Sequence, residues 1–90
     1  MKFILILACL VLYLSLTYAQ DSCRGSPRNQ TCIGGRNEGH RNGRNCRRSA
    51  MNEMWYFNRR TRDCLKMRYH GCGGNQNRYC SKRSCRRSCG

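Results

Sequence analysis

The sequence predicts a small disulfide-rich α+β domain, a twisted antiparallel β-hairpin followed by a C-terminal helix. Three observations carry that expectation. Eight of the nine cysteines fall between residues 20 and 90. Two aromatic or alternating apolar runs flank a polar turn, and a serine precedes a segment in which Cys85 and Cys89 stand four apart. An even cysteine count in a short chain reads as a disulfide framework. A chain of 90 − 19 = 71 residues buries too little apolar surface to be secure without such bridges.

Residues 1–19 read as a signal peptide. Lys2 supplies the positive start, Phe3 to Leu16 is an apolar run broken by Ser15, and Thr17-Tyr18-Ala19 offers small residues at a cleavage site. The run is too short to span a bilayer comfortably. Cleavage after Ala19 removes Cys9 and leaves Gln20 as the mature N-terminus, so residues 20–90 form one secreted domain. Its framework cysteines are Cys23, Cys32, Cys46, Cys64, Cys72, Cys80, Cys85 and Cys89, which by number alone permit about 105 pairings. Zinc is disfavoured, because His40 and His70 stand in no ligand spacing.

Residues 24–49 are rich in Gly, Asn and Arg, with Ile33 the one large apolar side chain. This composition forms no core and reads as irregular loop. Asn29-Gln30-Thr31 within it is an N-glycosylation sequon, with Asn29 the acceptor. The character then changes. Met54-Trp55-Tyr56-Phe57 is an aromatic strand, residues 58–63 a polar turn, and Leu65, Met67 and Tyr69 alternate with Lys66 and Arg68. That is a period-two pattern with one apolar and one charged face, and the two runs form a hairpin. Tyr79 is expected near its core. Ser81 reads as the N-cap of a helix on which Cys85 and Cys89 share a face. Lys82 and Arg83 oppose its dipole, while Arg86 and Arg87 suit it.

Charge is the second outlier. Removing Lys2 from 18 basic residues leaves 17 against four acids, so residues 20–90 carry 17 − 4 = +13, with 15 of the bases arginine. Such a surface is drawn to polyanions: heparan-type glycosaminoglycans, anionic membrane surfaces or acidic protein patches. Export argues against nucleic acid, and a monomer is expected. Two histidines and four acids supply no catalytic constellation, so the chain is read as no enzyme, with no cofactor.

The spacing Cys64-x7-Cys72-x12-Cys85-x3-Cys89 resembles the last four framework cysteines of Kunitz-type (pancreatic trypsin inhibitor-like) domains. Trp55-Tyr56-Phe57-Asn58 is similar to that family's first strand, and Tyr69-x-Gly71-Cys72-x-Gly74-Asn75-x-Asn77-x-Tyr79 to its segment around the fourth cysteine. Ser81 falls at the family's helix cap. The Arg-rich, Cys-augmented style is similar to salivary Kunitz proteins of blood-feeding ticks.

The resemblance implies bridges Cys23–Cys89, Cys64–Cys85 and Cys46–Cys72, with Cys32–Cys80 as an extra pair. Cys32 is the alternative loop cysteine, partnered with Cys72; Gly43-x-x-Cys46-Arg47 favours Cys46. It further implies a serine protease inhibitor acting by substrate-like insertion of an extended, disulfide-braced loop. The residue after the second framework cysteine, Arg47, would enter the primary pocket of a trypsin-like protease, the coagulation proteases among them, with Arg48 beside it. Arg48 stands where the family has a small residue, and His70 where it favours glycine. Two more residues than usual lie between Cys46 and the aromatic strand. The rival class is a non-inhibitory cationic binding module, either an ion-channel blocker or a ligand of glycosaminoglycan or membrane surfaces.

Overall fold

The computed structural model describes residues 22–90; the expected signal peptide lies outside the described residues. The order of elements is α1 (Cys46–Ser49), β1 (Met51–Asn58), β2 (Asp63–Tyr69) and α2 (Lys82–Cys89). The two strands pair antiparallel, from Met51 opposite Tyr69 to Asn58 opposite Asp63. Between them Asn58 Oδ1 accepts from the backbone N–H groups of Arg60 and Thr61 at 2.9 and 3.4 Å, and Arg62 takes a left-handed conformation at φ 55°. A β-bulge interrupts the register between Met51 and Met54, where Asn52 and Glu53 face the single residue Arg68.

Both faces of the hairpin are packed. On one, Met54, Tyr56, Met67 and Tyr69 are buried together, with Cys23, Met51, Leu65 and Cys80 against them. The period-two pattern of β2 anticipates this face. On the other, Cys64, Tyr79 and Cys85 form a second cluster with Trp55, Phe57 and Cys89, so α2 covers the end of a face expected to be charged. Lys66 and Arg68 remain exposed further along it. Trp55 and Tyr79 exchange backbone hydrogen bonds of 2.9 and 2.7 Å, which lays residue 79 along the free edge of β1. Asn77, wholly buried, closes that edge: its Oδ1 accepts from Phe57 N–H at 2.9 Å and its Nδ2 donates to Phe57 C=O at 3.0 Å.

Ser81 caps α2, its hydroxyl oxygen accepting from Ser84 N–H at 3.0 Å. Lys82 is poorly placed for the dipole but has other partners. Its ammonium lies 5.5 Å from the centre of the Trp55 ring, with Lys66 at 5.6 Å. At the far end Arg86 reaches Asp63 at 3.2 Å.

Residues 22–45 contain no helix or paired strand beyond the bridge of His40 to Cys72, so something other than apolar burial must hold them. Backbone hydrogen bonds do. Thr31 N–H donates to Gln76 C=O at 3.1 Å, His70 N–H to Glu38 C=O at 2.9 Å, and His40 exchanges two bonds with Cys72. Arg78, only 8% exposed, is the keystone. Its guanidinium donates to the carbonyls of Gly25, Gly73 and Asn75 and stacks 4.0 Å from the centre of Tyr69. A buried charge is tolerable when its donors are taken up this way.

Two of the four bridges differ from expectation. Cys46 bonds Cys72 and Cys64 bonds Cys85, but Cys23 bonds Cys80 and Cys32 bonds Cys89. Cys23–Cys89 and Cys32–Cys80 do not form, nor does Cys32–Cys72. The side-chain network explains the exchange. Arg78 holds Gly25 beside the Met54 cluster, which brings Cys23 to Cys80. The Tyr79 hydroxyl donates to Thr31 C=O at 3.1 Å and lies 3.1 Å from Cys89 Sγ, so residues 31 and 32 meet the end of α2 instead.

Candidate functional site

The site anticipated around Arg47 is built on Cys46, which is 3% exposed and bridged to Cys72. Glycines let the chain close tightly there. Gly71, at φ 111°, lies so near Cys46 that a Cβ would overlap the Cys46 carbonyl. A Cβ on Gly43 would stand 3.3 and 3.4 Å from the two bridge sulfurs. The segment after Cys46 is thus anchored at one end by the disulfide and at the other by entry into β1 at Met51.

Between those anchors the backbone is helical, where the family resemblance implied an extended loop. Asn45 adopts a left-handed conformation at φ 66° and ψ 12° and starts a single turn over Cys46–Ser49; Ala50 returns to extended backbone. Arg48 N–H donates to Asn45 C=O at 3.1 Å. The physical reason is local. Asn tolerates left-handed angles better than other side-chain-bearing residues, and Cys-Arg-Arg-Ser contains no proline or β-branched residue to oppose a turn.

Arg47 and Arg48 are both exposed. They line an open cleft of about 700 Å³ together with Arg41, Asn45, Arg68 and His70. His70 is held from two sides. Arg41 donates to its Nδ1 at 3.1 Å, and its Nε2 faces Glu38 at 3.7 Å, where Glu38 also pairs with Arg36 at 2.6 Å. His70 therefore serves as a strut between the long first loop and the end of β2. The sequence marked it as a replaced glycine and a disfavoured zinc ligand, and gave no sign of Arg41 and Arg68 as neighbours of Arg47. Their one signal was arginine content.

Asn29 is exposed, and the sequon threonine, Thr31, is tied by its backbone to Gln76 and Tyr79. Among the described residues no group of three or more His, Cys, Asp or Glu side chains is placed to hold a metal ion.

Comparison with known proteins places this architecture. The profile of the Kunitz/Bovine pancreatic trypsin inhibitor domain matches residues 31–90. That start makes Cys32, bonded to Cys89, the first cysteine of the domain, and Cys23–Cys80 the added bridge. Among curated proteins, Amblin of Amblyomma hebraeum is 45% identical over 40 residues, 44% of this chain and 24% of that protein. Kunitz-type serine protease inhibitor B of Bungarus candidus is 47% identical over 36 residues, 40% of this chain and 43% of that one. Human tissue factor pathway inhibitor 2 is 46% identical over 41 residues, 46% of this chain and 17% of that protein. The aligned stretch spans less than half the length of each of these relatives. No solved structure matches. With two bridges, hairpin and helix in the expected places and most of the chain matched, the protein belongs to the Kunitz/bovine pancreatic trypsin inhibitor domain family.

Proposed function

We propose that this protein is a secreted, monomeric inhibitor of trypsin-like serine proteases, with Arg47 as the residue that enters the protease's primary pocket. The observation that carries the reading is the position of Arg47, exposed and directly after the buried, Gly71-packed half-cystine Cys46. A guanidinium there suits a pocket with a carboxylate at its base. Relatives named as serine protease inhibitors support the same class. Four bridges persist best in an oxidising, extracellular setting.

The mechanism requires one local change. To present a scissile bond, the turn at Cys46–Ser49 must open to extended backbone, giving up the Arg48-to-Asn45 hydrogen bond. One such bond is worth about 1 kcal/mol, and ordering the freed residues adds to the cost. The loop is therefore less pre-organised than a fully extended one, and binding is correspondingly weaker. Arg48 must find room in the adjoining subsite, so proteases with an open or acidic subsite are the expected targets. The coagulation proteases fall within this class. A panel of trypsin-like enzymes, with chymotrypsin and elastase as controls, tests the reading: inhibition confined to the arginine-specific members is the expected result, and inhibition of none of them would refute it.

A further inference from the structure

We propose that the cleft beside the Cys46–Cys72 bridge is a binding site for a sulfated glycosaminoglycan chain, with Arg41 and Arg68 holding its sulfate groups. Four guanidinium groups line it, and they come from three separate stretches of chain: Arg41 from the first loop, Arg47 and Arg48 from α1, and Arg68 from β2. Three acidic side chains occur among the described residues, each paired with a basic side chain, and Glu38 also meets His70 of the cleft wall at 3.7 Å. Glu38 pairs with Arg36, Glu53 with Lys66, and Asp63 with Arg86. None of the three lines the cleft. A concave surface bearing one sign of charge concentrates field and draws anions into it.

The geometry favours sulfate on a stiff chain. Arginine pairs with tetrahedral oxyanions through two parallel N–H bonds, and a cleft of about 700 Å³ accommodates more than one such group. A sulfated polysaccharide meets several arginines at once without the ordering cost of a flexible acidic peptide. Stable anchoring on a membrane surface takes a second signal beside the charges, such as an apolar one. Ile33 is the exposed large hydrophobic residue among those described, at 61%, and it does not line the cleft.

The site is held in shape from behind. The Arg41–His70 hydrogen bond and the His70–Glu38 contact fix the first loop against the end of β2, and the disulfide fixes α1 against the same place. Arg41 and Arg68 belong to this cleft but are not the residue proposed to enter the protease, so substituting them probes the glycan site apart from inhibition.

The test is calorimetric titration of the disulfide-bonded protein with a heparin hexasaccharide at physiological salt. It compares wild type, the double variant Arg41→Ser/Arg68→Ser, and Arg59→Ser/Arg60→Ser. The last pair removes the same charge from the opposite end of the hairpin, in the turn after Asn58. The proposal predicts a loss of about tenfold or more for the cleft variant, a shallower dependence on salt, and less than a twofold change for the turn variant. Equal losses in both variants would reduce the effect to net charge and overturn the proposal. So would equally tight binding of poly-glutamate, or cleft-dependent capture by phosphatidylserine vesicles without oligosaccharide binding. Inhibition assays on the same variants separate a failed glycan site from a failed inhibitor.

Discussion

Gly71 and Cys46 are packed backbone to backbone, with no room between them for a methyl group. Gly71 sits at φ 111°, and an L-residue in such a left-handed region costs about 1–2 kcal/mol before any collision. The colliding atom is a carbonyl on a disulfide-anchored residue, which cannot swing away. Gly71→Ala is therefore expected to destabilise the fold by more than about 2 kcal/mol and to lower the yield of the Cys46–Cys72 bridge on oxidative refolding. Thermal unfolding and thiol counting check it.

Asn77 supplies a second structural test. Its amide satisfies both backbone groups of Phe57 from a wholly buried position. Asn77→Ala leaves an N–H and a C=O unpaired, at roughly 2–4 kcal/mol in total. Denaturant unfolding is the measurement, and a change below 1 kcal/mol (about the worth of one ordinary hydrogen bond) would contradict the assigned role.

Tryptic mapping distinguishes the bridges directly, because Arg24 and Arg28 separate Cys23 from Cys32, and Arg86 and Arg87 separate Cys85 from Cys89. The structure predicts the Cys32 peptide joined to residues 88–90 and the Cys23 peptide joined to that of Cys80. A Cys23–Cys89 linkage would contradict it. Removing the Cys23–Cys80 pair by double serine substitution frees a loop of 57 residues, worth about 4 kcal/mol by chain entropy.

These bridges also show what the sequence could and could not disclose. The hairpin was legible because Leu65, Met67 and Tyr69 alternate with charged residues, and the helix because Ser81 precedes two cysteines one turn apart. The partner of Cys23 was not. Loop-closure entropy grows only logarithmically with length, so Cys23–Cys80 and Cys23–Cys89 look alike from spacing. The choice is made by Arg78 and Tyr79, whose side chains reach back to Gly25 and Thr31. Such contacts, across about 50 residues of irregular chain, leave no periodic trace. The turn at α1 escaped for a similar reason, since four residues are too few to carry a helical pattern.

Asp63 gives the protein an acid-side dependence. The N–H of Cys64, helped by Arg86, holds its carboxyl below the ordinary value of 3.8, against a smaller opposing effect of desolvation. A depressed folded-state value means the contribution is complete above the unfolded value and is lost as pH falls through the folded one. Melting temperature should therefore drop below about pH 3.8 more steeply in wild type than in Asp63→Asn.

The role of Arg47 turns on inhibition of trypsin by the disulfide-bonded protein, with wild type, Arg47→Ala and Arg48→Ala titrated side by side. Losing one partner of a buried charge pair at an interface costs about 2–5 kcal/mol. Arg47→Ala should therefore raise the inhibition constant by about 30-fold or more, while Arg48→Ala leaves it unchanged or lowers it. Inhibition that survives Arg47→Ala intact would contradict the account.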